Sequence, residues 1–273
     1  MHLFLCQRVA LYKAKDIVKR RIVMLAHCEN ALLNERKNYL GASASHQLRK
    51  TVDAFIENKI TKLTAGVPFA EYFKSNKIYD EYYKRHLIET IWRMRLLRVA
   101  ESKALAQIAK QNSLAARSCA NYERKEIKRD ELFFQNLKVS GISREMVLAT
   151  EPYLSTKMLS RFFSYLLDHE ELLGIVAYSY LVETVNIKVE PKKSLAMKVS
   201  SGEQNIRGQT VYLHTDSQGD RPGEVWQVVC HLIRSRKDIK NLYRYLDEMQ
   251  ELLAMYFREL YEDQVKNKTR MAA

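Results

Sequence analysis

The sequence predicts an all-α protein, a single helical bundle of about seven to nine helices. Two observations carry this. Only 8 Gly and 4 Pro are spread over 273 residues, with no Pro/Gly/Ser-rich stretch to act as a linker. Leu, Ala, Lys, Arg and Glu dominate what remains, and apolar residues recur at intervals of three and four, which places them on one face of a helix.

The elements follow in order. Val9, Ile17, Met24, Leu25, Leu32 and Leu33 mark a helix over 3–39, with Gly41 as its stop. A second helix fits 46–64 and ends near Gly66, since Pro68 prevents simple continuation. Residues 79–111 and 118–139 are two long periodic stretches, expected as neighbours; Gly141 stops the second. Ser143 can cap a short helix, and Pro152 sits where another begins and runs to about Val185, with a break near Asp168. The least regular part is 190–209, with Pro191, Gly202 and Gly208; a strand hairpin is the alternative to coil there, although no sustained alternation flanks it. Beyond the Gly219–Gly223 punctuation, 224–236 and 239–264 resume the helical period. The expected organisation is one helical domain over 1–273, an N-terminal hairpin of 1–66 packed on a core bundle of 79–268.

Lys and Arg number 45 against 32 Asp and Glu, a formal charge of +13. This excess invites an anionic partner, although charged helix faces that are merely solvated give the same sum. Paired Cys/His, zipper and ribonucleoprotein motifs are absent; Lys13–Arg21 and Arg234–Lys240 are the runs that would serve a nucleic acid. Cys6, Cys28, Cys119 and Cys230 are too far apart for a CxxC site or a disulfide framework, which fits reduced thiols in a cytoplasmic protein. Met1–Leu5 is too short for a signal peptide, and the longest apolar run, Leu172–Val182, is too short to span a bilayer.

Three places set acids or histidines in or beside apolar helices. Glu123, Glu126 and Asp130 share a helical face, which is either solvated and paired with Lys and Arg or turned inward. Glu183 closes the apolar run from Leu172; a carboxylate there is paired, protonated or bound to a cation, unless it stands at the exposed end of a core helix. His214, Asp216 and Asp220 cluster before Pro222, where an aspartate can equally cap the next helix. His27, His86, His169 and His231 are unclustered.

The order of these segments resembles the haem-oxygenase-like superfamily, and within it the iron-containing redox enzymes that include di-iron oxidases and the chlamydial protein associating with death domains. Glu126, Glu131-Leu132 and Gly141-Ile142 match the family's first motif, with Arg129 where it has a histidine. Glu183 matches its lone glutamate. The third motif, His-x-x-x-Asp-x-x-His, laid on Asp220, puts Asp216 and Gly223 at the histidine positions and His214 two residues out of register.

The resemblance implies an iron-dependent oxidase or oxygenase acting on a small organic substrate, with Glu126, Glu183, His214, Asp216 and Asp220 as metal ligands. Arg129 opposes this, because a permanent positive charge repels a dication. The alternative is a pseudoenzyme or interaction protein in which Arg129 pairs with Glu126 or Glu183, with an acidic protein as partner. Cys119 and His27, the nominees for thiaminase-like and haem-oxygenase chemistry, lack any supporting local motif and read as structural.

Overall fold

The computed structural model describes residues 39–66, 80–201 and 220–266. They form α1 (Ala42–Gly66), α2 (Asp80–Gln111), α3 (Ser113–Glu126), α4 (Asp130–Val139), α5 (Arg144–Ala149), α6 (Leu154–His169), α7 (Leu173–Ser201), α8 (Arg221–Leu232) and α9 (Arg236–Tyr261), which runs on into a π-helical turn, Glu262–Lys266. All of them lie in one compact unit, Asn38–Ala273, and no strand occurs among the described residues. No described helix is long and apolar enough to cross a membrane. The first helix of the expected N-terminal hairpin lies outside the described residues; the second, α1, packs on α7 and α9.

Helix α7 is the centre. Leu173, Ile175, Val176, Ala177, Tyr180 and Leu181 are all buried, and α2, α6, α8 and α9 pack around it. Each of the buried Leu, Ile and Val side chains contributes about 1.5–3 kcal/mol by leaving water. Val52 and Ile56 of α1, Leu159, Phe163 and Leu166 of α6, Val229 of α8 and Leu242 and Leu246 of α9 complete this core. At Gly174 the α6–α7 approach is close: a Cβ there would lie 2.8 Å from Cδ1 of Leu166. A second apolar cluster joins the first half of α2 to α4 and the end of α9 through Tyr82, Leu87, Ile91, Phe134, Leu137, Tyr256 and Leu260.

Helix ends follow local chemistry. Ser143 caps α5 by accepting from Met146 N at 3.2 Å. Gly141, at φ 79°, closes α4 in a Schellman turn in which Ile142 N donates to Leu137 O at 2.9 Å. Helix α6 lacks a cap of its own, and distant acids supply it. Glu89 of α2 accepts from Tyr153 N at 3.1 Å and Thr156 Oγ1 at 2.6 Å, while Glu259 of α9 accepts from Leu154 N and Ser155 N.

Two expectations need correcting. The stretch 118–139 is two helices, because the chain turns at 127–129: this carries Arg129 inward and lets Asp130 meet Arg95 and Arg98 of α2 at 3.3 and 3.1 Å. The helix end predicted at about Val185 is absent. Helix α7 continues through Pro191 to Ser201, and a hairpin over 190–209 is excluded as far as residue 201. A single proline removes one hydrogen bond, and the Lys, Leu, Ala and Met that follow favour helix.

Candidate functional site

Helices α3, α7 and α8 bring four charged side chains together. Glu126 ends α3, and Arg129 follows in the turn beyond it. Glu183 projects from α7 and is 1% exposed. Arg221 is the first residue of α8, whose start is fixed by Pro222 and by Asp220, the carboxylate of which accepts from Gly223 N at 2.9 Å. That cap aims Arg221 into the protein, where it is 4% exposed.

One oxygen of Glu183 is shared. Its Oε1 accepts from Tyr122 Oη at 3.0 Å, lies 3.2 Å from Arg221 Nη2 and is 3.8 Å from Arg129 Nη1. Glu126 Oε1 contacts Arg221 directly and lies 3.2 Å from Arg129. The Arg221 guanidinium also sits 5.5 Å from the centre of the Tyr122 ring. Two carboxylates thus face two guanidiniums. The second oxygen of Glu183, Oε2, is buried without a hydrogen-bond partner among the described residues. Burial is the main force raising the Glu183 pKa; Arg221 opposes it, Glu126 adds to it, and Arg129 and Tyr122 oppose it.

Tyr122 also borders a narrow, partly open cleft of about 10 Å³, room for about one water. Glu101 of α2, Cys119 and Glu123 of α3 and Ser179 of α7 give it polar walls, against apolar Ala104, Ile175, Val176, Val225 and Val228. Burial, then the charges of Glu123 and Glu126, push the Glu101 carboxyl up to about 8. Burial, then Glu126, push Glu123 up to about 7. The pair can hold a proton near neutrality. Burial followed by these acids pushes the Cys119 thiol up to about 12, so it stays protonated and is a poor nucleophile.

Of the expected ligands, Glu126 and Glu183 do converge. Asp220 does not: it is the α8 cap and pairs on the surface with Arg49 at 3.2 Å, its side chain 69% exposed. His214 and Asp216 lie outside the described residues. A side chain at Gly223, where the motif has its histidine, would displace the Asp220 cap, because a Cβ there would fall on the Asp220 carboxyl group. Asp130 and Glu123 are not a solvated face either, Asp130 being buried on two arginines and Glu123 lining the cavity. His86 bonds Tyr256 Oη at 2.7 Å and His169 packs on Tyr165. Both described cysteines, Cys119 and Cys230, are free and buried.

These residues do not fit an iron. Arg129 and Arg221 stand against the same carboxylate oxygens that a metal would need, and neither guanidinium loses its charge at any ordinary pH. No group of three or more His, Cys, Asp or Glu able to hold a metal occurs among the described residues. Arg221, Tyr122 and Glu101 were not legible in the sequence. Arg221 stood in a Gly/Pro turn and drew attention only to the turn; Tyr122 and Glu101 are isolated members of amphipathic helices.

No family model and no curated protein matches the chain. Solved structures do. A domain of unknown function with a haem-oxygenase-like fold from Shewanella denitrificans OS217 aligns with TM-score 0.66 at 16% identity, over 78% of this chain and 92% of that one. A TenA homolog from Pseudomonas syringae pv. tomato DC3000 gives 0.63 at 12%, over 83% and 97%. A CADD-like protein of unknown function from Nostoc punctiforme PCC 73102 gives 0.54 at 15%, over 81% and 98%. The helical order and these three likenesses together identify the architecture: the chain has the haem-oxygenase-like fold.

Proposed function

We propose that this protein is a metal-independent, small-molecule-binding member of the haem-oxygenase-like fold, in which arginines replace the cation that a metal-dependent oxidase would carry. The observation that carries this is Arg221, set between Glu126 and Glu183. Iron-dependent oxidation would require both Arg221 and Arg129 to leave and would draw Asp220 from its cap. The decayed-site alternative is therefore the better supported one.

The ligand would enter at the cleft beside Tyr122, which has room for about one water and must widen to admit it. Its apolar wall suits a small organic body, and the partly buried Glu101 and Glu123 carboxylates suit a cationic or hydrogen-bond-donating group such as an amine. An amine would supply the charge that this acid pair lacks and draw both carboxylates into their ionised form. Tyr122 would pass the change to Glu183 through its hydrogen bond.

The test is calorimetry of the full chain with a panel of small primary amines and matched carboxylic acids at neutral pH. Amines should bind in preference to acids. The double substitution Glu101→Gln/Glu123→Gln should weaken the best amine by at least about tenfold, which is about 1.4 kcal/mol. A preference for the acids, or amine binding unchanged in the variant, would contradict the reading.

A further inference from the structure

The basic run Arg234–Lys240, which the interior site leaves unused, lies at one corner of the bundle. The α8–α9 turn carries Arg234, Arg236 opens α9, and Lys240 follows one turn along that helix. Arg234 Nη2 donates to Gln111 Oε1 at 3.1 Å, which ties this turn to the end of α2 and the start of α3. Lys110 and Arg117 stand there. All five cations are exposed.

Lys50, Lys103, Arg124 and Arg161 are also exposed without a carboxylate partner among the described residues. What marks this corner is that its cations sit together where helices α2, α3, α8 and α9 begin or end, while elsewhere many are paired. Lys59 pairs with Asp247, Lys125 with Glu224, Lys157 with Glu151 and Arg244 with Glu170. None of the five corner cations has a carboxylate partner among the described residues. The nearest acid in the turn, Asp238, is committed to backbone, accepting from Arg234 N at 2.7 Å. Lys237 leans toward Glu170 and is not counted with them.

We propose that this corner docks the phosphate backbone of a duplex nucleic acid. Three of the five cations are arginines, whose planar fork takes two oxygens of one phosphate. A protein partner or a lipid surface would bury apolar area, yet Leu114 is the one exposed large apolar side chain in the segments that form this corner. Phosphate contacts need no such area and carry no sequence preference. The excess of +13 adds long-range attraction.

The experiment is fluorescence anisotropy of the full chain with a labelled DNA duplex of about 20 base pairs, titrated at several salt concentrations. With about five phosphate contacts, affinity should fall by roughly 10²–10³-fold between about 50 and 200 mM salt. The triple variant Arg234→Gln/Arg236→Gln/Lys240→Gln should lower the log–log salt slope by about 2.7. A control of equal charge, Lys50→Gln/Lys62→Gln/Arg258→Gln, removes exposed cations elsewhere and should leave the slope near wild type. Absence of binding at low salt, equal losses in both variants, or stronger binding to phosphatidylserine vesicles or to polyglutamate than to the duplex would each overturn the proposal.

Discussion

Arg221 Nη2 lies 3.2 Å from Glu183 Oε1, and the two side chains are 5% and 1% exposed. A carboxylate at the middle of an apolar bundle needs a cation, and here the protein provides its own. Removing the arginine strands Glu126 and Glu183 with Arg129 alone. The variant Arg221→Met should lose about 3–5 kcal/mol of stability, read as a lower urea midpoint at unchanged slope. Adding Glu183→Gln should restore most of that loss, because one buried carboxylate then leaves with one guanidinium and Glu126 keeps Arg129.

The cavity acids give the protein a pH signature. Glu101 and Glu123 hold their protons to about 8 and about 7 in the folded chain, against an ordinary carboxylate value of 4.5. The folded state therefore binds more protons than the unfolded state between these values, and stability falls as pH rises from about 4.5 to 8. Thermal unfolding followed by circular dichroism should show the midpoint dropping over that window. Glu101→Gln should flatten the drop.

The entry into α8 is a single unit made of Asp220 and Gly223. Gly223→Ala should push the Asp220 side chain off its cap and cost about 1 kcal/mol. Asp220→Ala should cost a similar amount. The double variant should cost little more than either alone, because both remove the same cap; additive losses measured in urea would argue against this coupling.

Glu89 is fully buried and serves α6 from a distance, while Arg85 pairs with it at 2.7 Å. Glu89→Ala would leave Tyr153 N and Thr156 without their acceptor and Arg85 without its partner. A loss of about 3–5 kcal/mol is expected. Hydrogen exchange should localise the effect to the first turn of α6.

How much of this was legible in the sequence depends on the range of the interaction. Gly141, Ser143 and the Asp168 break are local signals, and the helix ends they mark are present in the structure. Glu183 announced itself because a carboxylate closing an apolar run needs a partner. Arg129 was legible by position, and it does pair with Glu126 and lie near Glu183. What could not be read was tertiary. The turn at 127–129 contains no Gly or Pro, and it forms because Arg129 and Asp130 have distant partners to reach. Arg221 is 38 positions beyond Glu183 and 95 beyond Glu126, and nothing in its neighbourhood marks it as buried. Glu101 and Glu123 lie on separate helices and share a cavity only once α2 and α3 pack.

The claim that arginines stand in for a metal is tested most directly by metal content. Iron, manganese and zinc should be measured per chain in freshly purified protein, before and after anaerobic loading with ferrous iron and desalting. Well below one metal per chain is expected in both samples, with no change on Glu183→Ala. About one or two irons retained per chain and lost in Glu183→Ala would contradict the account, because the carboxylates would then be holding a metal and not Arg221.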